Sequence, residues 1–168
     1  LIIELVMKFL DTHNLPWLIL AAITWLIIYF SCSLQQFFHA LPVAFWTMLI
    51  GGILESFFID KKFWIERFIL VHLGELDLFV IIGPFFSIGL LLIRFLPKGR
   101  WKKHLAILVF ATLATAIELI ATKLGFLEYH SEKWGALYSL VAYYLALMSA
   151  LGFYYVYYNR DLSNPTYP

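Results

Sequence analysis

The chain has 168 residues, 62% of them hydrophobic and 14% charged, with a formal net charge of +1. A soluble domain of this size cannot bury so much apolar surface, and the few basic residues leave no footprint for nucleic acid. Cys32 is the only cysteine, so neither an intrachain disulfide nor a thiolate metal cage is available. The composition predicts an all-α polytopic transmembrane bundle of about five spans with an interfacial helix at its amino terminus.

Residues 1–10 are apolar on nearly every side, with Glu4 and Lys8 one helical turn apart, and are too short to cross about 30 Å of hydrocarbon. An interfacial helix is expected there, and 1–14 forms the amino-terminal segment. Pro16 suits the first turn of a helix, so span one is placed at about 15–33. The residues before Cys32 lack a small-residue cleavage pattern, and the run reads as a retained span. A polar connection holding Gln35, Gln36 and His39 follows.

Span two, about 40–59, carries Thr47, Gly51 and Glu55 at four-residue spacing, a packing seam that ends in an acid. Gly51 and Gly52 read as packing residues. Residues 60–76 mix Lys61, Lys62, Glu66, Arg67, His72 and Glu75 with aromatic residues, too much charge to cross, and predict an amphipathic segment at the interface. Span three, about 77–95, begins at Asp77 and holds Pro84, which frees a backbone carbonyl and implies a kink or a nearby polar partner. Residues 97–104 carry Lys98, Arg100, Lys102 and Lys103 and no acid, which by the positive-inside rule marks a cytoplasmic loop.

Span four, about 105–122, places Glu118 in hydrocarbon, where an acid at mid-span costs about 2.5–3.5 kcal/mol on insertion scales. Ala111, Ala114, Thr115, Ala121 and Thr122 share its face, so that face is expected to point into the bundle while Leu113, Ile117, Leu119 and Ile120 meet lipid. Span five, about 135–158, gathers Ser139, Ala142, Tyr143, Ala146, Ser149 and Ala150 on one side and ends in an aromatic belt. Residues 159–168 form a loose polar tail, leaving 15–158 as the transmembrane domain.

Five spans with a cytoplasmic loop between the third and fourth put the amino terminus outside and the carboxyl terminus in the cytoplasm. Glu55 and Asp77 then lie at outer helix ends, and Glu118 lies about 20 Å along span four from its cytoplasmic start. With Tyr138, Ser139 and Tyr143 at the same level, these residues outline an outward-facing acidic pocket for a ligand or ion. Each has a plainer reading. Asp77 is also a start-of-helix carboxylate, and Glu118 can simply fasten helices. His72 and His130 read as solvated loop residues, since no paired-ligand spacing supports a metal.

A span with Glu55, a short aromatic connection, a span from Asp77 to Pro84, a basic loop after Leu96 and Pro97, a span with Glu118, then Tyr129 and Trp134 before Ser139: this layout resembles the small multi-pass membrane proteins of endospore-forming bacteria related to Bacillus and Clostridium. The resemblance covers about 15–158 and implies a bacterial cytoplasmic membrane, with no assigned activity, catalytic residue or cofactor. Three functions fit the residues. The leading one is a non-catalytic assembly or scaffold subunit, a homo-oligomer or the partner of another membrane protein. The others are a proton- or cation-coupled transport component and an intramembrane enzyme acting on a lipid or isoprenoid.

Overall fold

The computed structural model describes residues 9, 12–130, 132 and 134–158. The expected interfacial helix at 1–10 and the tail at 159–168 lie, apart from Phe9, outside the described residues.

Helix α1 is Pro16–Ser31, with proline in its first turn as its fixed φ favours. After Cys32 and Ser33, α2, Leu34–Asp60, begins. The polar stretch with Gln35, Gln36 and His39 is therefore helical and not a connection. Ser33 accepts from the Gln36 amide while the Gln36 side chain accepts from the Ser33 amide, a reciprocal capping box that starts the helix before the apolar run. Helix α3, Leu78–Arg94, follows the strands described below, and the long helices α4, Arg100–Lys123, and α5, Ala136–Tyr157, complete the bundle. Arg100, Lys102 and Lys103 thus sit in the first turn of α4 rather than in a loop.

Three helices, α2, α4 and α5, are long and apolar enough to cross a membrane, while α1 and α3 are apolar but shorter. Polarity is inverted relative to a water-soluble domain. Ile53, Phe57, Leu113, Ile120, Val141 and Leu145 face outward, and Glu55, Glu118, Thr115 and Ser139 are buried.

The charged stretch 60–76, expected as an amphipathic segment at the interface, folds beyond Asp60 into short strands and turns, so the fold is not wholly α. Strand β1, Trp64–Glu66, pairs antiparallel with β4, Leu127–Tyr129, and β2, His72–Leu73, pairs with β3, Leu76–Asp77. The backbone turns that make this possible are left-handed at Lys62, Phe68, Gly74 and Gly125, which breaks any helix through the region. Alternation does the rest: Trp64 and Glu66 turn inward and Ile65 outward. The strands cover one end of the bundle and are tied to it by the Trp17 indole donating to the Arg67 carbonyl (2.8 Å) and the Arg67 amide donating to the Phe126 carbonyl (2.9 Å).

Helix α2 is central, packing along α3 and α5, while α4 packs chiefly on α5 and only lightly on α3, and α1 lies against α3. Close approach depends on glycine. A Cβ on Gly83 would lie 2.6 Å from Ala21, one on Gly51 2.7 Å from the Phe85 ring, and one on Gly89 2.1 Å from Thr47 Oγ1. Gly51 is thus a packing residue. Pro84 sits in a π-helical turn, Ile81–Phe85, and within that turn the Ile82 carbonyl accepts from the Trp25 indole (2.9 Å).

The core has two parts. At the end bearing Arg94, Lys98 and Arg100, an apolar layer including Val43, Leu90, Ile107, Leu147 and Ala150 is fully closed. There the Arg94 Nε donates to the Ser31 carbonyl (3.1 Å), joining the ends of α3 and α1. A second cluster, including Trp17, Ile59, Trp64, Val80 and Leu127, lies beneath the strands.

Candidate functional site: a buried carboxylate cavity

Between the two apolar clusters lies a cavity of about 410 Å³, bounded by α1 to α5 and roofed by β1 and β4. That volume falls in the range of small-molecule sites. Its walls are apolar over most of their area, and polar side chains gather toward the strand end.

Glu118 on α4 is 6% exposed. Its Oε1 accepts from Ser139 Oγ of α5 (2.5 Å) and from the Tyr129 hydroxyl of β4, and Ser139 Oγ in turn accepts from the Trp134 indole (2.8 Å). Tyr143 approaches the same carboxylate. Glu55 on α2, 7% exposed, accepts from the Trp64 indole of β1 at 2.5 Å. Trp64 and Tyr129 are directly opposed in the β1–β4 ladder, so one pair of strands presents an indole donor to one glutamate and a phenol donor to the other. Glu55 feels the charge of both Glu66 and Glu118. Each of the two helical acids is five residues from its helix end, about 7 Å in depth.

Glu66 joins this group from β1. Burial pushes its carboxyl up to about 8, against the opposing effect of the Asp77 amide that donates to Oε2 at 2.9 Å, while the Asp77 carboxylate adds to the rise. Burial likewise raises the Tyr129 phenol, reinforced by its bond to Glu118, so it stays protonated as a donor. Among the described residues no lysine, arginine or histidine pairs with Glu55, Glu66 or Glu118; the ion pair there, Arg67 with Glu128, is exposed. Ser87 of α3 lines the cavity at 1% exposure with its hydroxyl unpartnered.

Of the expected site residues, Glu55, Glu118, Ser139 and Tyr143 line one cavity. Asp77 does not. It is wholly buried behind Glu66, and its carboxylate accepts from the amides of Leu70 (2.6 Å) and Phe79 (2.9 Å), capping α3 as a start-of-helix acid does. Tyr138 is also outside it, 61% exposed with its ring on Trp134. Glu66, Trp64, Tyr129 and Ser87 are the members that sequence reasoning did not gather. His72 and His130 are exposed, and no group of three metal-ligating side chains occurs among the described residues.

No protein-family model, curated protein or solved structure matches the chain.

Proposed function

We propose that this chain is a multi-pass integral membrane protein that holds a small lipid-soluble molecule, without chemical turnover, in an acidic pocket facing the outer half of the bilayer. The observation that carries the reading is the cavity itself, apolar along its walls and lined by two buried glutamates whose donors are fixed by helices and strands. An outer surface rich in leucine, isoleucine and phenylalanine supports residence in hydrocarbon. All five helices cross in this reading, with the shorter α1 and α3 accommodated by local thinning of the bilayer. The end with Arg94, Lys98, Arg100, Lys102 and Lys103 faces the cytoplasm and the strands face outward, which puts the amino terminus outside and the carboxyl terminus inside. In this reading the membrane is a bacterial cytoplasmic one, as the resemblance to proteins of endospore-forming bacteria implies.

Binding fits better than the other functions. An assembly subunit that docks a partner span through its polar faces needs those faces outside, whereas Glu55, Glu118 and Ser139 point into the cavity and the outer faces are greasy. A transport component needs a route to both sides, and the layer of Val43, Leu90, Ile107 and Leu147 closes the basic end. Intramembrane catalysis needs an acid that gives up its proton to substrate, whereas the Ser139 and Tyr129 hydroxyls both donate to Glu118 Oε1 and set this carboxylate as an acceptor, the role that a bound donor uses.

Native mass spectrometry of the protein released from its own membrane tests the proposal, comparing the wild type with Glu118→Gln and with Ala114→Phe, which fills the cavity from α4. A discrete small-molecule adduct on the wild type that is lost from Ala114→Phe is expected. A clean mass, or a partner protein retained equally by all three forms, would return the chain to the assembly reading.

A further inference from the structure

We infer that the molecule held in the cavity is a lipophilic amine, bound as its ammonium ion by Glu55 and Glu118 and reached from the hydrocarbon of the bilayer. The inference rests on the binding reading above and names the chemistry of the occupant.

Charge is the first argument. Three buried carboxyl groups face one another at the strand end, and among the described residues none has a cationic partner. Side by side in a low dielectric, carboxylate oxygens favour a cation that enters with the ligand. An ammonium head supplies both the charge and the N–H donors that carboxylate oxygens accept. Trp17, Phe58, Trp64 and Tyr143 line the same end, and aromatic faces attract a desolvated cation, whereas they gain nothing from an anionic head.

Ser87 provides an independent pointer to a ligand. Its hydroxyl is buried, unpartnered and on the cavity wall nine residues into α3, about one turn deeper than the two glutamates. A buried hydroxyl without a partner costs free energy, so a ligand with a second hydrogen-bonding group below its ammonium head completes it. The way in is lateral. Leu113 and Ile117 of α4 belong both to the cavity wall and to the outer surface, at 54% and 41% exposure, on the side where α4 touches α3 only lightly. An amphiphile dissolved in the bilayer meets that opening without crossing water.

The test uses the whole chain in nanodiscs and three probes of eight carbons each, octylamine, octanol and octanoate, with tryptophan fluorescence as readout and protein-free nanodiscs as the partition control. Saturable octylamine binding at least tenfold tighter than octanol or octanoate is expected. It should weaken at least tenfold in Glu55→Gln/Glu118→Gln and disappear in Ala114→Phe. Should the double variant fail to fold, Glu118→Gln alone carries the comparison, with an expected loss of at least threefold. Octanol binding as tightly as octylamine, while still abolished by Ala114→Phe, would overturn the amine and leave the cavity reading standing. Octylamine binding that ignores the loss of the carboxylates would overturn the amine as well. No saturable binding of any probe would overturn both readings.

Discussion

Gly89→Ala offers a measure of how tightly α2 and α3 are fitted beside the cavity. A Cβ at position 89 would lie 2.1 Å from Thr47 Oγ1, 2.9 Å from Thr47 Cγ2 and 2.9 Å from the Val43 carbonyl oxygen. Ordinary van der Waals contact begins near 3.4 Å, so the helices must separate by more than 1 Å or Thr47 must turn away. Turning is costly, because Thr47 Oγ1 donates to the carbonyls of Val43 (3.2 Å) and Ala44 (3.0 Å) and the residue is buried. Overpacking a closed site costs about 1–3 kcal/mol and losing the hydroxyl bond about 1 kcal/mol, giving a destabilisation of about 2–4 kcal/mol. Equilibrium unfolding in mixed micelles with increasing dodecyl sulfate measures it. Thr47→Ala removes two of the three contacts and leaves the Val43 carbonyl, so the pair Gly89→Ala/Thr47→Ala should recover at least half of the loss. A Gly89→Ala protein within about 0.5 kcal/mol of the wild type, or a double variant with no recovery, would refute the reasoning.

Trp64→Phe keeps an aromatic ring under the strands but removes the N–H that Glu55 accepts, and is expected to cost about 1–3 kcal/mol in the same unfolding assay, with most of the loss absent when Glu55 is already glutamine. Glu66 is protonated more readily when folded, at about 8, than its ordinary 4.5. The folded state therefore holds the extra proton, and stability is expected to fall by a few kcal/mol as pH rises from 4.5 to 8 and to level off above. Thermal unfolding of Glu66→Gln across that window should show a much flatter profile. For orientation, Lys102→Cys in a Cys32→Ser background should be labelled by an impermeant maleimide only from the cytoplasmic side, and labelling of intact cells from outside would invert the topology.

The helices were legible because hydrophobic runs of membrane length carry their own signal, and the small-residue faces around Glu118 and Ser139 identified which side turns inward. Ala111, Thr115 and Ala121 are buried and Ala114 and Thr122 half-buried, while Leu113, Ile117 and Ile120 are exposed and Leu119, expected outward, is half-buried. Glu55, Glu118, Ser139 and Tyr143 were legible for the same reason, as polar groups on otherwise closed faces. The strand roof was not. Strands of two or three residues are too short to set a periodicity, and β1 finds its partner β4 some sixty residues away, so no local pattern announces the pair. Glu66 stands among Lys61, Lys62 and Arg67, in a stretch read as interfacial because it is too charged to cross. Only the strand itself, with Trp64 and Glu66 inward and Ile65 outward, sets this acid beside Trp64. The early start of α2 was hidden by the polarity of Gln35, Gln36 and His39, although Ser33 followed three residues later by glutamine is a capping box in the sequence itself.

The most direct test of the central claim is a cryo-electron microscopy map of the chain, carried by a rigid binding partner on its strand end, extracted from its own membrane into nanodiscs without exchange of lipid. The account predicts an elongated density in the cavity with its polar end between Glu55 and Glu118 and its length running past Ser87 toward Leu113 and Ile117. A cavity closed by inward movement of α4 onto α2, with Glu118 bonded directly across to Glu55, would contradict it and make the acids a fastening between helices.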